Sequence, residues 1–249
     1  MLKRVAESST TESRARFGKR HILYDASLIE HPEVGLFAID NLKSQTGQHA
    51  LAAGRGHAVF FEHQNQALVL KHYRRGGQIA AVLGDRYLGR NCERSRAFRE
   101  WRLLQAMCQL RLPVPVPVAA SCSPQGLFHR ADLVTQQIHD VIPLAEHLLE
   151  KPCTHQTWRV IGRCIRRFHD ASVYHADLNA RNILINAEFG RVFLVDFDKG
   201  AFRHLGESWK AANLARLQRS LFKFKSFNPY FNFGRDDWNA LLEGYKGDD

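Results

Sequence analysis

The stretch Tyr174-His175-Ala176-Asp177-Leu178-Asn179-Ala180-Arg181-Asn182 sets an aspartate and an asparagine five positions apart, just before the apolar run Ile183-Leu184-Ile185. Nineteen residues beyond Asp177, a second apolar run, Val192-Phe193-Leu194-Val195, ends in Asp196-Phe197-Asp198. Phosphoryl transfer needs this set of groups. One carboxylate accepts the proton of the acceptor hydroxyl, while an amide oxygen and a second carboxylate hold Mg²⁺ on the nucleotide phosphates. Asp177 fits the first role, Asn182 and Asp196 the second. Any one of the three alone is an ordinary loop polar or strand-end residue. Together, in a helix–loop–strand–turn–strand context, they point to chemistry.

Such groups need elements to hold them. His155 to Asp170 carries Trp158, Ile161, Ile165 and Phe168 on one face, which predicts a helix leading into the loop. The two apolar runs predict short strands split by a turn at Asn186–Gly190. Upstream, His57–Glu62 and Ala67–Tyr73 predict a strand pair around the polar His63-Gln64-Asn65-Gln66. Cys92 to Leu110 predicts a helix with Phe98, Trp101, Leu104 and Cys108 recurring at helical steps. The prolines of Leu112-Pro113-Val114-Pro115-Val116-Pro117 force an extended segment, and Leu127–Gln137 follows as one or two strands. From Glu207 the chain is helical, then aromatic and basic. The first fifteen or so residues are polar and expected to be loose. A strand-rich first half and a helical second half predict an α+β protein of two lobes, with a junction around Gln136–Asp140.

The 249 residues suffice for two modest lobes with a buried core. Lys plus Arg number 35 against 25 Asp plus Glu, a net charge of +10, so an anionic partner is expected: nucleic acid, anionic lipid or a phosphorylated substrate. The five cysteines are odd in number and form no C-x-x-C pair, so neither a disulfide framework nor a zinc site is expected, and a reduced, cytoplasmic setting is. Met1 to Arg20 has no apolar core of a secretory signal, and no apolar run approaches the roughly 20 residues that span a bilayer.

The loop and the segment after it resemble the H-x-D-x-x-x-x-N and D-F-G motifs of the protein-kinase-like superfamily. The resemblance implies a two-lobed fold: a strand-rich N-lobe with one long helix over 1–135, and a reduced, mostly helical C-lobe over 136–249. It also implies ATP and Mg²⁺. Lys71, on the second strand of the predicted pair, fits the lysine that meets the nucleotide phosphates, and Glu100 the helix glutamate that holds it. Glu93, seven residues earlier, is the rival. Gly54-Arg55-Gly56 fits a phosphate-covering loop, although ordinary turns use such glycines as often. Gln136 to Ile138 would be the hinge whose backbone meets adenine, with Gln136 and Ile138 as candidates. His-Ala-Asp stands where protein kinases have His-Arg-Asp, Asn179 replaces their lysine, Asp198 replaces the glycine of D-F-G, and no A-P-E follows. These departures favour a small-molecule or glycan acceptor.

Further stretches resemble the lipopolysaccharide core kinase family. They are Lys71-His72-Tyr73-Arg74-Arg75-Gly76-Gly77, Ser95 to Trp101, Leu112-Pro113-Val114-Pro115, Arg130-Ala131-Asp132-Leu133 and Asn213 to Leu221. Within that family the resemblance implies ATP-dependent phosphorylation of the 4-hydroxyl of a 3-deoxy-D-manno-octulosonic acid (Kdo) residue. The acceptor would be an anionic Kdo–lipid A precursor at the cytoplasmic face of the inner membrane, with no nucleic acid and no obligate protein partner. A +10 chain suits such an acceptor and an anionic leaflet. Between Ala201 and Phe233 basic residues interleave with Trp209, Phe222, Phe224, Phe227, Tyr230, Phe231 and Phe233, a pattern that serves a lipid interface or a packed helix equally well. Arg74 and Arg75 serve acceptor anions, nucleotide or solvent. The competing readings are a heptose or another small-molecule acceptor on the same machinery and, more distantly, an inactive, basic lipid-binding pseudokinase.

Overall fold

The run Val118-Ala119-Ala120-Ser121-Cys122 is buried at every position, which marks a strand covered on both faces. In a computed structural model it lies in the middle of a seven-stranded sheet. The structure describes residues 12–38, 58–73, 87–89, 91–186, 188, 190–204 and 206–247. Gly54, Gly56, Arg74 and Arg75 lie outside the described residues. The chain divides into two units: residues up to 98 together with 117–135 belong to the first, except 52–57, and those 52–57, 99–116 and 136–249 belong to the second. The strand-rich first unit and mostly helical second unit give the α+β class expected from the sequence.

The first unit holds β1 (Glu12–Phe17), β2 (Arg20–Asp25), β3 (Ala58–His63), β4 (Gln66–His72), β5 (Tyr87–Leu88), β6 (Pro117–Gln125) and β7 (Phe128–Gln136, whose last residue belongs to the second unit). The sheet order is β1-β2-β6-β7-β4-β3, with β5 paired to β7. Glu12–Phe17 is therefore paired strand, in register with Arg20–Asp25, and not the loose start that its polar composition suggested. Alternation does the sorting on β4. Leu68, Leu70 and His72 face the core, and Lys71 lies on the opposite face. The core gathers Ile22, Val59, Phe61, Leu68, Leu70, Val118 and Val134 with Leu36 and Phe37. One polar network is buried with it: Asp132 bonds His72 Nδ1 through Oδ1 and accepts from Ser121 Oγ (2.9 Å) through Oδ2.

Cys92 and Cys122 form a disulfide, contrary to the cysteine reading from spacing. They stand 30 residues apart, so no local motif announces them. They meet because the 3₁₀ turn Cys92–Arg94, capped by the Asn91 side chain on Glu93 N–H, lies against β6. Cys108, Cys153 and Cys164 remain thiols.

Helix α1 (Arg96–Gln109) starts in the first unit, and from Arg99 it belongs to the second. The second unit also holds β8 (Ile142–Pro143), α2 (Leu144–Glu150), α3 (His155–Asp170), β9 (Val173–Tyr174), β10 (Ile183–Asn186), β11 (Arg191–Leu194), β12 (Ala201–Phe202), α4 (Glu207–Phe227) and α5 (Arg235–Lys246). α3 starts at a Thr154 cap that accepts the Thr157 N–H (3.1 Å), and it buries Trp158, Ile161, Ile165 and Phe168 as its periodicity predicts. α5 packs on α3 backbone to backbone. A Cβ on Gly162 would run into the Leu241 carbonyl, and one on Gly244 into Arg159 backbone, so only hydrogen fits at either position.

Candidate active site

Two short ladders set the positions of the loop and the Asp196 segment. β9 ends just before His175 and pairs with β12, which starts just after Gly200, while β10 and β11 pair from Ile183↔Leu194 to Asn186↔Arg191. The loop 175–182 and the segment 195–200 are thereby pinned at both ends. Direct bonds then join them: Val195 N–H donates to the Asn182 carbonyl (3.0 Å), and His175 Nε2–H donates to the Val195 carbonyl (2.9 Å).

That second bond also settles the histidine's tautomer. With Nε2 donating, Nδ1 is left as an acceptor, and it takes the Asp177 backbone N–H (3.1 Å). His175 is buried, its ring 4.6 Å from that of Phe197, which in turn stacks on Phe168 of α3 (5.7 Å). Asp177 itself is open to solvent. Its Oδ2 accepts from Asn179 Nδ2 (3.1 Å), its Oδ1 from Arg216 Nη1 (3.4 Å), and its carbonyl from both Asn179 Nδ2 (3.0 Å) and Asn182 Nδ2 (2.9 Å).

The Asn182 bond fixes which end of that amide faces the loop. A carbonyl accepts only from the NH₂ end, so Oδ1 is the end left to act as a ligand. Asp196 follows β11 and sits at φ 65°, the left-handed region that Asp tolerates better than most residues and that turns the chain sharply after the strand. Asn182 and Asp196 together offer hard oxygen donors of the kind Mg²⁺ takes, with its remaining positions going to phosphate oxygens and water. Among the described residues no group of three or more His, Cys, Asp or Glu gathers into a protein-made metal cage.

Glu100 is buried on α1, and its Oε1 accepts the Phe197 N–H (3.1 Å), one residue past Asp196. Glu93 is on the 3₁₀ turn, about half exposed, and paired with Arg14 (3.2 Å). The structure thus brings Asp177, Asn182, Asp196 and Glu100 together in the second unit. Lys71 stands on β4 of the first, its ammonium 4.7 Å from the Tyr73 ring centroid. Gln136 ends β7 with its N–H donating to Val116 (2.8 Å), and Ile138 follows in the extended segment before β8.

Helix α4 supplies residues that spacing alone did not single out. Asn213 is buried, and its side chain brackets His175, donating to the carbonyl (2.7 Å) and accepting from the N–H (3.4 Å). One turn on, Arg216 reaches Asp177, Ser220 Oγ accepts the Ala180 N–H (3.4 Å), and Phe224 lies under the Arg181 guanidinium (5.2 Å). The contacts at 213, 216, 220 and 224 follow the loop from 175 to 181 along one helix face. The signal was present as an asparagine inside a strong helical pattern, where its side chain favours other conformations unless something else holds it. On the other flank of Asn213, the buried His169 sits near Asn213 Oδ1 (Nε2, 3.4 Å) and Tyr245 Oη (Nδ1, 2.8 Å).

Residues 42–245 match the model of the Lipopolysaccharide kinase (Kdo/WaaP) family. A Stenotrophomonas maltophilia protein named 3-deoxy-D-manno-octulosonic acid kinase is 40% identical over 220 residues, covering 88% of this chain and 87% of that protein. Proteins of the same name from Photobacterium profundum and Xanthomonas campestris pv. campestris are 34% and 39% identical, over 92% and 88% of this chain and 96% and 87% of their own lengths. With the loop 175–182 joined to the segment 195–200 and the match spanning most of its length, the chain belongs to the Lipopolysaccharide kinase (Kdo/WaaP) family.

Proposed function

We propose that this protein transfers the γ-phosphoryl group of ATP to the 4-hydroxyl of a Kdo residue on a Kdo–lipid A precursor, in lipopolysaccharide core biosynthesis. The observation that carries the reading is the meeting of Asp177, Asn182 and Asp196 through the Asn182–Val195 and His175–Val195 bonds. The relatives named for 3-deoxy-D-manno-octulosonic acid supply the acceptor. In this reading Asp177 takes the proton of the acceptor hydroxyl as its oxygen bonds to phosphorus, the bond to the bridging β–γ oxygen breaks, and ADP departs. Asn179 holds Oδ2 of the base in place. Asn182 and Asp196 hold Mg²⁺, which when bound neutralises charge on the phosphates. Lys71 meets the nucleotide phosphates, and Glu100 fixes Phe197 beside Asp196. Gln136 and Ile138 provide the adenine-facing backbone.

The acceptor's lipid places the reaction at the cytoplasmic face of the inner membrane, reached from the side. Among the described residues no helix is long and apolar enough to cross a membrane. An open groove between α4 and α5 combines Arg219, Lys223 and Arg235 with Phe222 and Phe227. Phe227 and the nearby Tyr230 are 78% and 86% exposed, a basic and aromatic surface suited to a lipid interface. Incubation with Mg²⁺, labelled ATP and Kdo–lipid IVA tests the reading. Label entering the sugar lipid at O-4 supports it, and label entering only a heptosylated core overturns it in favour of a heptose kinase.

A further inference from the structure

We infer that Arg216 receives the carboxylate of the acceptor sugar and so selects an acidic sugar and turns its hydroxyl toward Asp177. The inference rests on the proposed Kdo acceptor. Arg216 lies one helical turn beyond Asn213, on the α4 face that follows the catalytic loop, and its Nη1 stands 3.4 Å from Asp177 Oδ1. Both side chains are about half exposed, so the pair borders solvent where an acceptor would enter. Among the described residues Asp177 is the one hydrogen-bond partner of Arg216, through one long contact. A guanidinium carries five N–H donors in a planar fork that matches a carboxylate two-to-two, and this contact leaves most of that capacity unused.

The helix beneath is firmly placed. Asn213 and Leu217 are buried on either side of Arg216 in sequence, and Asn213 and Ser220 bond His175 and Ala180. The guanidinium is thus referenced to the base through two anchored turns rather than through a loose surface chain. A guanidinium that stayed on Oδ1 would occupy an oxygen of the carboxylate that must take the acceptor's proton. Moving to an acceptor carboxylate clears that oxygen. Kdo carries its carboxylate on C2 and the hydroxyl in question on C4, separated by one ring carbon. A sugar that offers O-4 to Asp177 therefore holds its carboxylate within its own width of the base. Arg219 and Lys223 continue the basic line along α4 toward the groove already described, which gives the phosphorylated lipid portion a direction to run. A neutral heptose has nothing to offer Arg216.

The test uses the full chain and its Arg216→Ala and Arg216→Lys variants with two acceptors, Kdo–lipid IVA and its carboxyl methyl ester. The wild type is expected to use the ester roughly 10- to 150-fold less efficiently in kcat/KM, the range of a hydrogen bond to a charged group. Arg216→Ala is expected to lose that preference and use acid and ester alike, while Arg216→Lys recovers part of it, having the charge without the fork. Melting-temperature shifts on adding ATP and Mg²⁺ check that the variants fold and bind nucleotide. An acid-to-ester ratio in Arg216→Ala equal to the wild type's overturns the inference, as does a wild type indifferent to the ester. A variant defect confined to KM for ATP assigns Arg216 to the nucleotide and overturns it too. A wild type that leaves Kdo–lipid IVA unlabelled removes the proposed function along with this inference.

Discussion

At the scale of single residues, identity and spacing say most where the partners are neighbours in the chain. The nearness of Asp177, Asn182 and Asp196 was legible because one loop and one strand turn separate them. The placement of Glu93 and Glu100 on separate elements was not. A seven-residue gap puts both on one face of an unbroken helix, but Ser95 is extended (ψ 153°), so Glu93 falls on a separate 3₁₀ turn and only Glu100 is buried. Asp177→Asn removes the proposed base and leaves the shape. Turnover is expected to fall by about 10²–10⁴-fold, the usual worth of a general base, with nucleotide binding by calorimetry unchanged. His169 makes a different prediction. Burial between Trp209 and Tyr245 pulls its pKa down from 6.5 to about 4, against the upward pull of the Asn213 oxygen. Between those two values the unfolded chain binds the proton and the native ring does not. Stability is then full above pH 6.5, declines as pH falls toward 4, and levels off below, for a total of ~3 kcal/mol. Unfolding midpoints measured across that window are expected to follow this slope, and His169→Gln to flatten it.

At the scale of elements, α3 was legible from its stripe, and the β10–β11 hairpin from its apolar runs and turn. The β1–β2 hairpin was not, because Glu-Ser-Arg-Ala-Arg-Phe has no strong apolar alternation and gains its order from pairing with a strand that is itself paired to β6. The service of α4 to the loop was only half legible, since periodicity announces a helix and not what its polar face will touch. The aromatic tail also divides. Trp209, Phe231 and Phe233 are buried, and Lys225 is spent on the carbonyls of Pro229 and Phe231 (2.8 Å each), while Phe222, Phe227 and Tyr230 stay outside. The tightest helix contact yields a direct test. Gly162→Ala has no room at Leu241 and Tyr245, so α5 must lift or α3 must bend, at a cost of about 1–3 kcal/mol. A denaturant melt is expected to show the loss in its midpoint, and an unchanged midpoint would mean the two helices sit farther apart.

At the scale of the whole molecule, the order of strand-rich and helical halves indicated the class and composition the charge, and the structure says how the chain is shared out. Residues 99–116 group with the second unit although they are flanked in sequence by strands of the first, an interleaving that no linear pattern reveals. The +10 charge makes its own prediction. Vesicles containing anionic lipid are expected to retain the protein at low salt and release it as the Debye length shortens, while neutral vesicles do not retain it. Phe227→Ser with Tyr230→Ser is expected to weaken retention at every salt concentration, as sedimentation would measure. The packing of α5 on Gly162 reaches further than stability. Polypeptides are made from the amino end, so a ribosome releases α3, the loop 175–182 and α4 before the helix that covers Gly162 has emerged. A nascent chain must wait with one side of α3 bare, and translation stopped ahead of Arg235 yields a product with every proposed catalytic side chain and no surface to close over that helix.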